Sequence, residues 1–438
     1  MALIEGYASR FSVAPGETLD FHVRCDPAHR DFTLEILRRG ATDVSLKKVD
    51  AIGYAPGKED DGALAVNGCD WPAAAAAQTV IPAGWKSGYY VARLTSKTGG
   101  SAGIPFIVRS AQPGKDTKIL LKWSDTTVQA YSAWGGRDFY NGFSPQLSFD
   151  RPYDSTEHFE KYTRPLVAWA ESNGFTLDHC SSVDLHTDPN LLTPYKLMIS
   201  TGHDEYWSKE MYDHCEAFVG NGGNIAFLSA NTCYWQVRFD FSNGKRIMTC
   251  YKETEDAPGH PRPKDPQRAD PSRVTVRFYE PPVNRPENRL TGVSFRNGAG
   301  WFNGKAPNAA RLRGYTVVDD SHWIYAGTNL KNGQSFGEGT SDVTTVLGYE
   351  TDAAELEPNV NPAAVTGNDG TPSDFKVLAY ADLRDWQQGG QGGHATLGLY
   401  QRNGTVFTGA TINWAAGLTP NTSPVAIMTK NLFQKLGR

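Results

Sequence analysis

The amino-acid sequence predicts a mixed fold, with an all-β domain over residues 1–112 followed by an α/β domain over 113–438. The second domain is expected to hold a doubly wound, mostly parallel sheet with β-rich C-terminal additions. Three observations carry this. Residues 1–112 contain several short segments in which apolar and polar residues alternate with period two. Beyond them, apolar runs alternate with helix-like stretches, as in βαβ units. A chain of 438 residues is too long for one compact core, so two or three domains are expected.

In the first domain, the turn Val13-Ala-Pro-Gly leads into Leu19, Phe21 and Val23 at alternate positions, and Phe32 to Leu37 repeats the pattern. Ile81 to Leu94 reads as a turn entering a strand, and Ile104 to Arg109 closes the set. Short strands at this spacing predict a β-sandwich of immunoglobulin type, packed beside a catalytic domain. Gln112-Pro-Gly-Lys is the expected linker. Strands then follow at Lys118–Trp123, Phe175–His179, Lys196–Thr201 and Asn224–Ser229. One helix is expected from Ser155 to about Asn173, stopped by Gly174; another is capped by Ser208 and presents Met211, Tyr212, Cys215, Phe218 and Val219 on one face. Residues 250–290, charged and proline-rich, read as a surface excursion. Later strands are expected at Ser321–Gly327, Thr344–Glu350 and Lys376–Tyr380. A hairpin turning at Asn403-Gly404 and a terminal helix from Ser423 complete the chain.

Composition narrows the function. With 43 Lys+Arg against 48 Asp+Glu and no long basic block, the chain does not suit nucleic acid as a partner. No run approaches the roughly 18 to 20 apolar residues of a membrane helix. The first residues lack the basic and apolar regions of a secretory leader, so a cytoplasmic protein is expected. The six cysteines lack any CxxC or zinc-type spacing and are expected to be reduced and buried. The ten histidines form no HExxH, so a bound metal would not be a zinc on its usual soft ligands.

Ligands of open parallel sheets bind outside the carboxyl ends of the strands, where loops converge and helices begin. Three such ends carry Gln129 to Tyr140, Gly202-His203-Asp204-Glu205-Tyr206-Trp207, and Ser229-Ala230-Asn231. They deliver phenols, carboxylates, an imidazole and an amide to one rim. Phenolate and carboxylate are hard donors that suit Fe(III), while carboxylate alone would suit Mg or Mn.

Thr201-Gly-His-Asp-Glu-Tyr-Trp, Gly222 to Asn231, Tyr234-Trp235, Gln129-Ala-Tyr-Ser-Ala-Trp-Gly-Gly and Gly348-Tyr-Glu-Thr-Asp together resemble the large (beta) subunit of N,N-dimethylformamidase. The resemblance spans about 112 to 420, and the preceding domain is also similar. It implies a mononuclear Fe(III) held by two tyrosinates and a glutamate, hydrolysing a small amide or formamide. Carried over by motif, the metal ligands are Tyr131, Tyr140 and Glu205. Tyr140 is placed by its loop, with Tyr153, Tyr206 and Tyr234 as alternatives. His203 would orient or deprotonate water, Asn231 would donate to the substrate oxygen, and Glu350 would be a further pocket residue. Asp204 stands where the family more usually has proline. A small accessory subunit or a second copy is the implied partner. The competing reading is a carbohydrate- or small-molecule-binding protein on an amidotransferase-like domain, which would have no need of the Tyr131, Tyr140 and Glu205 set. A cysteine nucleophile is disfavoured because Cys233 does not lie between glycines.

Overall fold

The computed structural model describes residues 4–153, 156–255, 261–302, 312–341, 343–358, 360 and 363–438. Alternation in the N-terminal region becomes a five-stranded sheet, ordered Ser12–Val13, Ser101–Val108, Gly88–Ser96, Asp31–Arg39 and Asp43–Ile52. Phe32, Leu34 and Ile36 point to one side of Asp31–Arg39 and are fully buried. They share a cluster with Ile4, Phe21 and Val23 of the two-stranded Ile4–Ala8/Phe21–Cys25 ladder. The expectation that this region is all β is corrected by a helix, Asp61–Asn67. The Asp60 carboxylate caps it by accepting from the Gly62 and Ala63 amides at 3.1 and 3.2 Å.

The largest sheet has nine strands. Its first five are Asp178–Ser181, Ile119–Trp123, Leu197–His203, Asn224–Ala230 and Thr405–Thr408, all paired in parallel. Ile119–Trp123 and Leu197–His203 are buried along their whole length, as central parallel strands must be. The sheet continues through His394–Gln401, Lys376–Asp382, Tyr315–Val317 and Ser335–Phe336, and every pairing in that half is antiparallel. "Mostly parallel" is therefore corrected to parallel in one half. The short turn at Asn403-Gly404 sends the chain straight back, and only a long crossover could have kept the strands parallel.

The Ser208 hydroxyl accepts from the Met211 amide and caps the helix Lys209–Gly220, whose five predicted apolar residues are all buried. The expected long helix after 155 is broken into Thr156–His158, a π-type turn Phe159–Thr163 and Arg164–Ser172. Pro165 lacks the N–H that would continue the upstream ladder.

Two expected strands are absent. Around 321–327 the chain makes a 3₁₀ turn, Trp323–Tyr325, which buries Ile324 and Tyr325 while Asn431 donates to the Ile324 and Ala326 carbonyls. At 344–350 the Thr344 and Thr345 amides donate to the Ser341 carbonyl at 3.2 and 3.0 Å, which makes a turn, and Tyr349 stands at a left-handed φ of +52°. The surface excursion at 250–290 is also corrected. Lys252, Asp265, Val274, Thr275, Val276, Phe278 and Glu287 are buried, and several charges point inward to partners, as in Arg238–Asp265 at 2.6 Å.

One buried cluster joins Phe11, Tyr89, Val91 and Ile107 from the N-terminal region to Trp123, Phe149, Phe159, Tyr206 and Trp235. All six cysteines are buried and free. Among the described residues, no helix is long and apolar enough to cross a membrane.

Burial raises the Glu287 carboxyl to about 8, and its only described partner among side chains is the Ser294 hydroxyl. The folded pKa lies above the unfolded one, so the native state binds the extra proton. Stability is then fully present below about 4.5 and falls as pH rises towards 8. Glu287→Gln should flatten the pH dependence of the urea midpoint across that window; an unchanged slope would contradict the assignment.

Candidate functional site

Strand order places the site. After Ile119–Trp123 the chain adds Asp178–Ser181 on one side and then Leu197–His203 on the other, so the strand order reverses here, at the kind of switch point where parallel sheets carry their sites. Asp125–Tyr131 forms a helix directly beyond Trp123 and ends at Tyr131. The chain then reverses through Gly135 and Gly136, both at φ +71°. A Cβ at Gly135 would lie 2.2 Å from the Asp61 carbonyl oxygen, so only glycine lets the reversal pack on the N-terminal helix. Trp134 donates its indole N–H to Glu5 at 2.8 Å, with the Arg24 guanidinium 5.5 Å from its ring. The Asp138 carboxylate accepts the Tyr140 amide at 2.6 Å and sets the return.

The three residues read as metal ligands converge. The Tyr131 hydroxyl donates to Glu205 Oε2 at 2.7 Å and the Tyr140 hydroxyl to Glu205 Oε1 at 3.1 Å; the two hydroxyls lie 3.0 Å apart. Glu205 is 2% exposed, and its amide donates to Thr127 Oγ1 in the preceding helix at 2.9 Å. Tyr131 is 41% exposed as a residue, but its hydroxyl end is turned in to Glu205. Burial, and next the Glu205 charge, push both phenols well above their ordinary range. Burial alone would raise Glu205 as well. The His203 hydrogen bond and charge outweigh it, helped by Lys252, and hold that carboxyl below its usual value.

The remaining predicted residues complete the cluster. His203 Nε2 lies 3.2 Å from Glu205 Oε2 and 3.0 Å from Glu350 Oε2. Burial disfavours its charged form, but Glu350 and Glu205 overcome this and raise it to about 10. The Asn231 amide nitrogen is 3.3 Å from Glu350 Oε2 and 3.4 Å from His203 Nε2. Asn231 stands at φ +49°, a conformation that asparagine tolerates better than branched residues. Asp352, which burial raises to about 7, fixes that turn by accepting the Asn231 and Thr232 amides at 2.7 and 3.2 Å.

Sequence reasoning missed two members, Lys252 and Lys122, and set a third aside. Tyr206, read only as an alternative ligand, donates its hydroxyl to that of Tyr140 at 2.7 Å. Lys252, fully buried inside the supposed excursion, sits 3.5 Å from the Tyr140 ring centroid and donates to the Tyr206 hydroxyl at 3.1 Å. No period or motif marks it; a lysine amid Cys250, Tyr251 and the nearby acids looks like any surface residue. The other is Lys122, whose ammonium meets Asp204 at 2.7 Å with both side chains wholly buried. Ser200 donates to the other Asp204 oxygen at 2.5 Å. The one signal was a lysine inside an otherwise apolar strand.

Metal–oxygen bonds of about 2 Å at octahedral or tetrahedral angles set donor oxygens roughly 2.8 to 3.3 Å apart. The 3.0 Å between the two phenol oxygens and the 3.1 Å from Tyr140 to Glu205 Oε1 fall in that range, and the 2.7 Å from Tyr131 to Glu205 Oε2 lies just below it, so these residues could hold a small, hard cation. Among the described residues no group of three or more His, Cys, Asp and Glu is arranged to hold a metal ion, so this donor set is distinguished by its phenols.

Fold and site together define a mixed, sheet-rich α/β protein with a buried oxygen-donor centre at the end of its parallel strands. Residues 39–425 match a family profile described as N,N-dimethylformamidase beta subunit-like, C-terminal, and the chain belongs to that family. It is 23% identical over 287 residues to an N,N-dimethylformamidase beta subunit of Alcaligenes sp., covering 62% of this chain and 36% of the relative. It is 33% identical over 73 residues to the beta subunit from Paracoccus aminophilus, covering 16% and 10%. The matched segments thus span about a third or less of those relatives. Among solved structures, a protein described as thua-like from Parabacteroides merdae is 14% identical and covers 73% of this chain and 89% of its own, at a TM-score of 0.27, too low to carry an argument.

Lys122 and Asp204 tie the strand Ile119–Trp123 to the segment bearing His203 and Glu205. Lys122→Met should cost about 3 to 5 kcal/mol in chemical denaturation, because it strands a buried carboxylate. The double variant Lys122→Met/Asp204→Leu should recover much of that loss, and simple additivity would contradict the pairing.

Proposed function

We propose that this chain hydrolyses the C–N bond of a small amide or formamide at a single ferric ion held by Tyr131, Tyr140 and Glu205. The observation that carries the reading is the convergence of two phenol oxygens and one carboxylate within 2.7 to 3.1 Å of each other. Without a cation, burial keeps both phenols protonated, so this donor set calls for a strongly acidic metal to displace the protons. When bound, such an ion supplies Lewis acidity, polarising a carbonyl oxygen and acidifying water near neutral pH.

The chain's own residues handle the protons. Hydrolysis delivers a water oxygen to the acyl carbon, and the departing nitrogen must gain a proton. His203, between two carboxylates, holds its proton at Nε2 and is suited to give it to that nitrogen. Glu350, 3.0 Å from the same nitrogen atom, is the acceptor available for a proton from water and returns it to His203. In this reading His203 acts as the acid, in place of the expected role of orienting or deprotonating water. Asn231 presents an amide beside Glu350 and His203, and its Oδ1 has no hydrogen-bond partner among the described residues, leaving it free to bind substrate. Family membership supports amide hydrolysis, and the relatives' designation as beta subunits supports a small accessory subunit or a second copy as partner.

The purified protein should contain one iron per chain and be coloured by tyrosinate-to-ferric charge transfer. Glu205→Ala should lose the iron, the colour and amide hydrolysis together. A colourless, iron-free protein, or full iron occupancy in the variant, would overturn the assignment.

A further inference from the structure

Arg151 is fully buried, yet among the described residues it makes no ion pair with a carboxylate. Taking an unpaired guanidinium out of water is costly, and burial here depresses it to about 10. Its hydrogen bonds go to main-chain carbonyls. Nη2 donates to the Gln129 oxygen at 3.0 Å, and Nη1 donates to the Arg137 oxygen at 2.8 Å and the Trp134 oxygen at 3.3 Å. These three carbonyls belong to one reversal. Gln129 lies in the last turn of the helix that ends at Tyr131, Trp134 opens the glycine turn, and Arg137 begins the return towards Tyr140. A reversal of this kind directs carbonyls inward, where they need donors. A planar guanidinium with several fixed N–H groups can serve three at once.

We propose that Arg151 is a positioning residue that fixes the spacing of Tyr131 and Tyr140 by clamping the carbonyls of the segment between them. The inference rests on the metal-site reading above and deepens it by assigning what brings two phenols only nine positions apart onto one carboxylate. Glu205 reaches the site on a separate strand end, so the tyrosine loop must carry its own template. Lysine cannot replace arginine here. A single ammonium on a flexible stem keeps the charge but loses the fork that registers the three carbonyls.

The test uses the full chain with its iron, as wild type, Arg151→Met and Arg151→Lys. Two measurements are made: visible absorption per bound iron, and amide hydrogen exchange over residues 129–142 in iron-free protein. Both variants should keep a cooperative unfolding transition and unchanged exchange in the Leu197–His203 strand. Both should exchange at least about ten-fold faster over 129–142, and should lose roughly half the charge-transfer absorption per iron as one phenol leaves the donor set. If Arg151→Met does not fold, Arg151→Lys, which retains the buried cation, carries the test alone. Wild-type exchange and colour in the lysine variant would overturn the clamp. If the wild-type protein binds no iron, the ferric reading falls, while the exchange measurement still decides whether Arg151 holds the loop.

Discussion

A carboxylate withdrawn from water loses several kcal/mol of hydration unless hydrogen bonds and opposite charge replace it, and Glu205 at 2% exposure is in that position. Two phenol O–H groups and the His203 imidazole supply the replacement directly, and Lys252 supplies a second positive charge nearby. Each of those groups is itself buried or partly buried and needs support of its own. Glu350 and Asn231 surround His203, Tyr206 and Lys252 back Tyr140, and Asp352 fixes the turn that carries Asn231. The polar cluster is one connected network, in which removing any member leaves a neighbour unsatisfied.

The network draws on distant parts of the chain because no single element can present oxygens from three sides. The parallel half of the sheet delivers the strand ends, and the antiparallel half and its connections deliver Glu350 and Asp352. The N-terminal region contributes from outside the site. Its helix Asp61–Asn67 packs on Gly135, and Glu5 and Arg24 hold Trp134, so the tyrosine loop is gripped on that face while Arg151 holds it from within. The N-terminal region thereby helps set the geometry of the loop that carries Tyr131 and Tyr140.

The two buried lysines beside the site are accommodated differently. Lys122 and Asp204 pair beneath the site, where Asp204 sits between His203 and Glu205 and its side chain reaches Lys122 on the strand Ile119–Trp123. Asp204 therefore acts as an anchor for the segment that carries His203 and Glu205. Lys252 pairs with Glu255 at 2.7 Å, donates to the Tyr206 hydroxyl and lies over the Tyr140 and Trp235 rings.

Local signals were sufficient for much of this architecture. The Ser208 cap and the apolar face of Lys209–Gly220, the hairpin at Asn403-Gly404, the terminal helix Pro424–Leu436 and the strands that end at Trp123, His203 and Ala230 all follow from period and capping chemistry within a few residues. With the rule that sites lie at parallel strand ends, those signals bring Tyr131, His203, Glu205 and Asn231 to one rim. Tertiary structure alone decided what depends on partners far along the chain. Lys252 and Arg151 look like surface cations until Tyr140, Tyr206 and three loop carbonyls close around them. The stretches 321–327 and 344–350 have strand-like composition, but the first packs as a 3₁₀ turn against Asn431 and the second starts in a turn closed on the Ser341 carbonyl. Periodicity records which side of an element is apolar, whereas the partner of a buried charge is fixed only when separate elements meet, and no local pattern encodes that meeting.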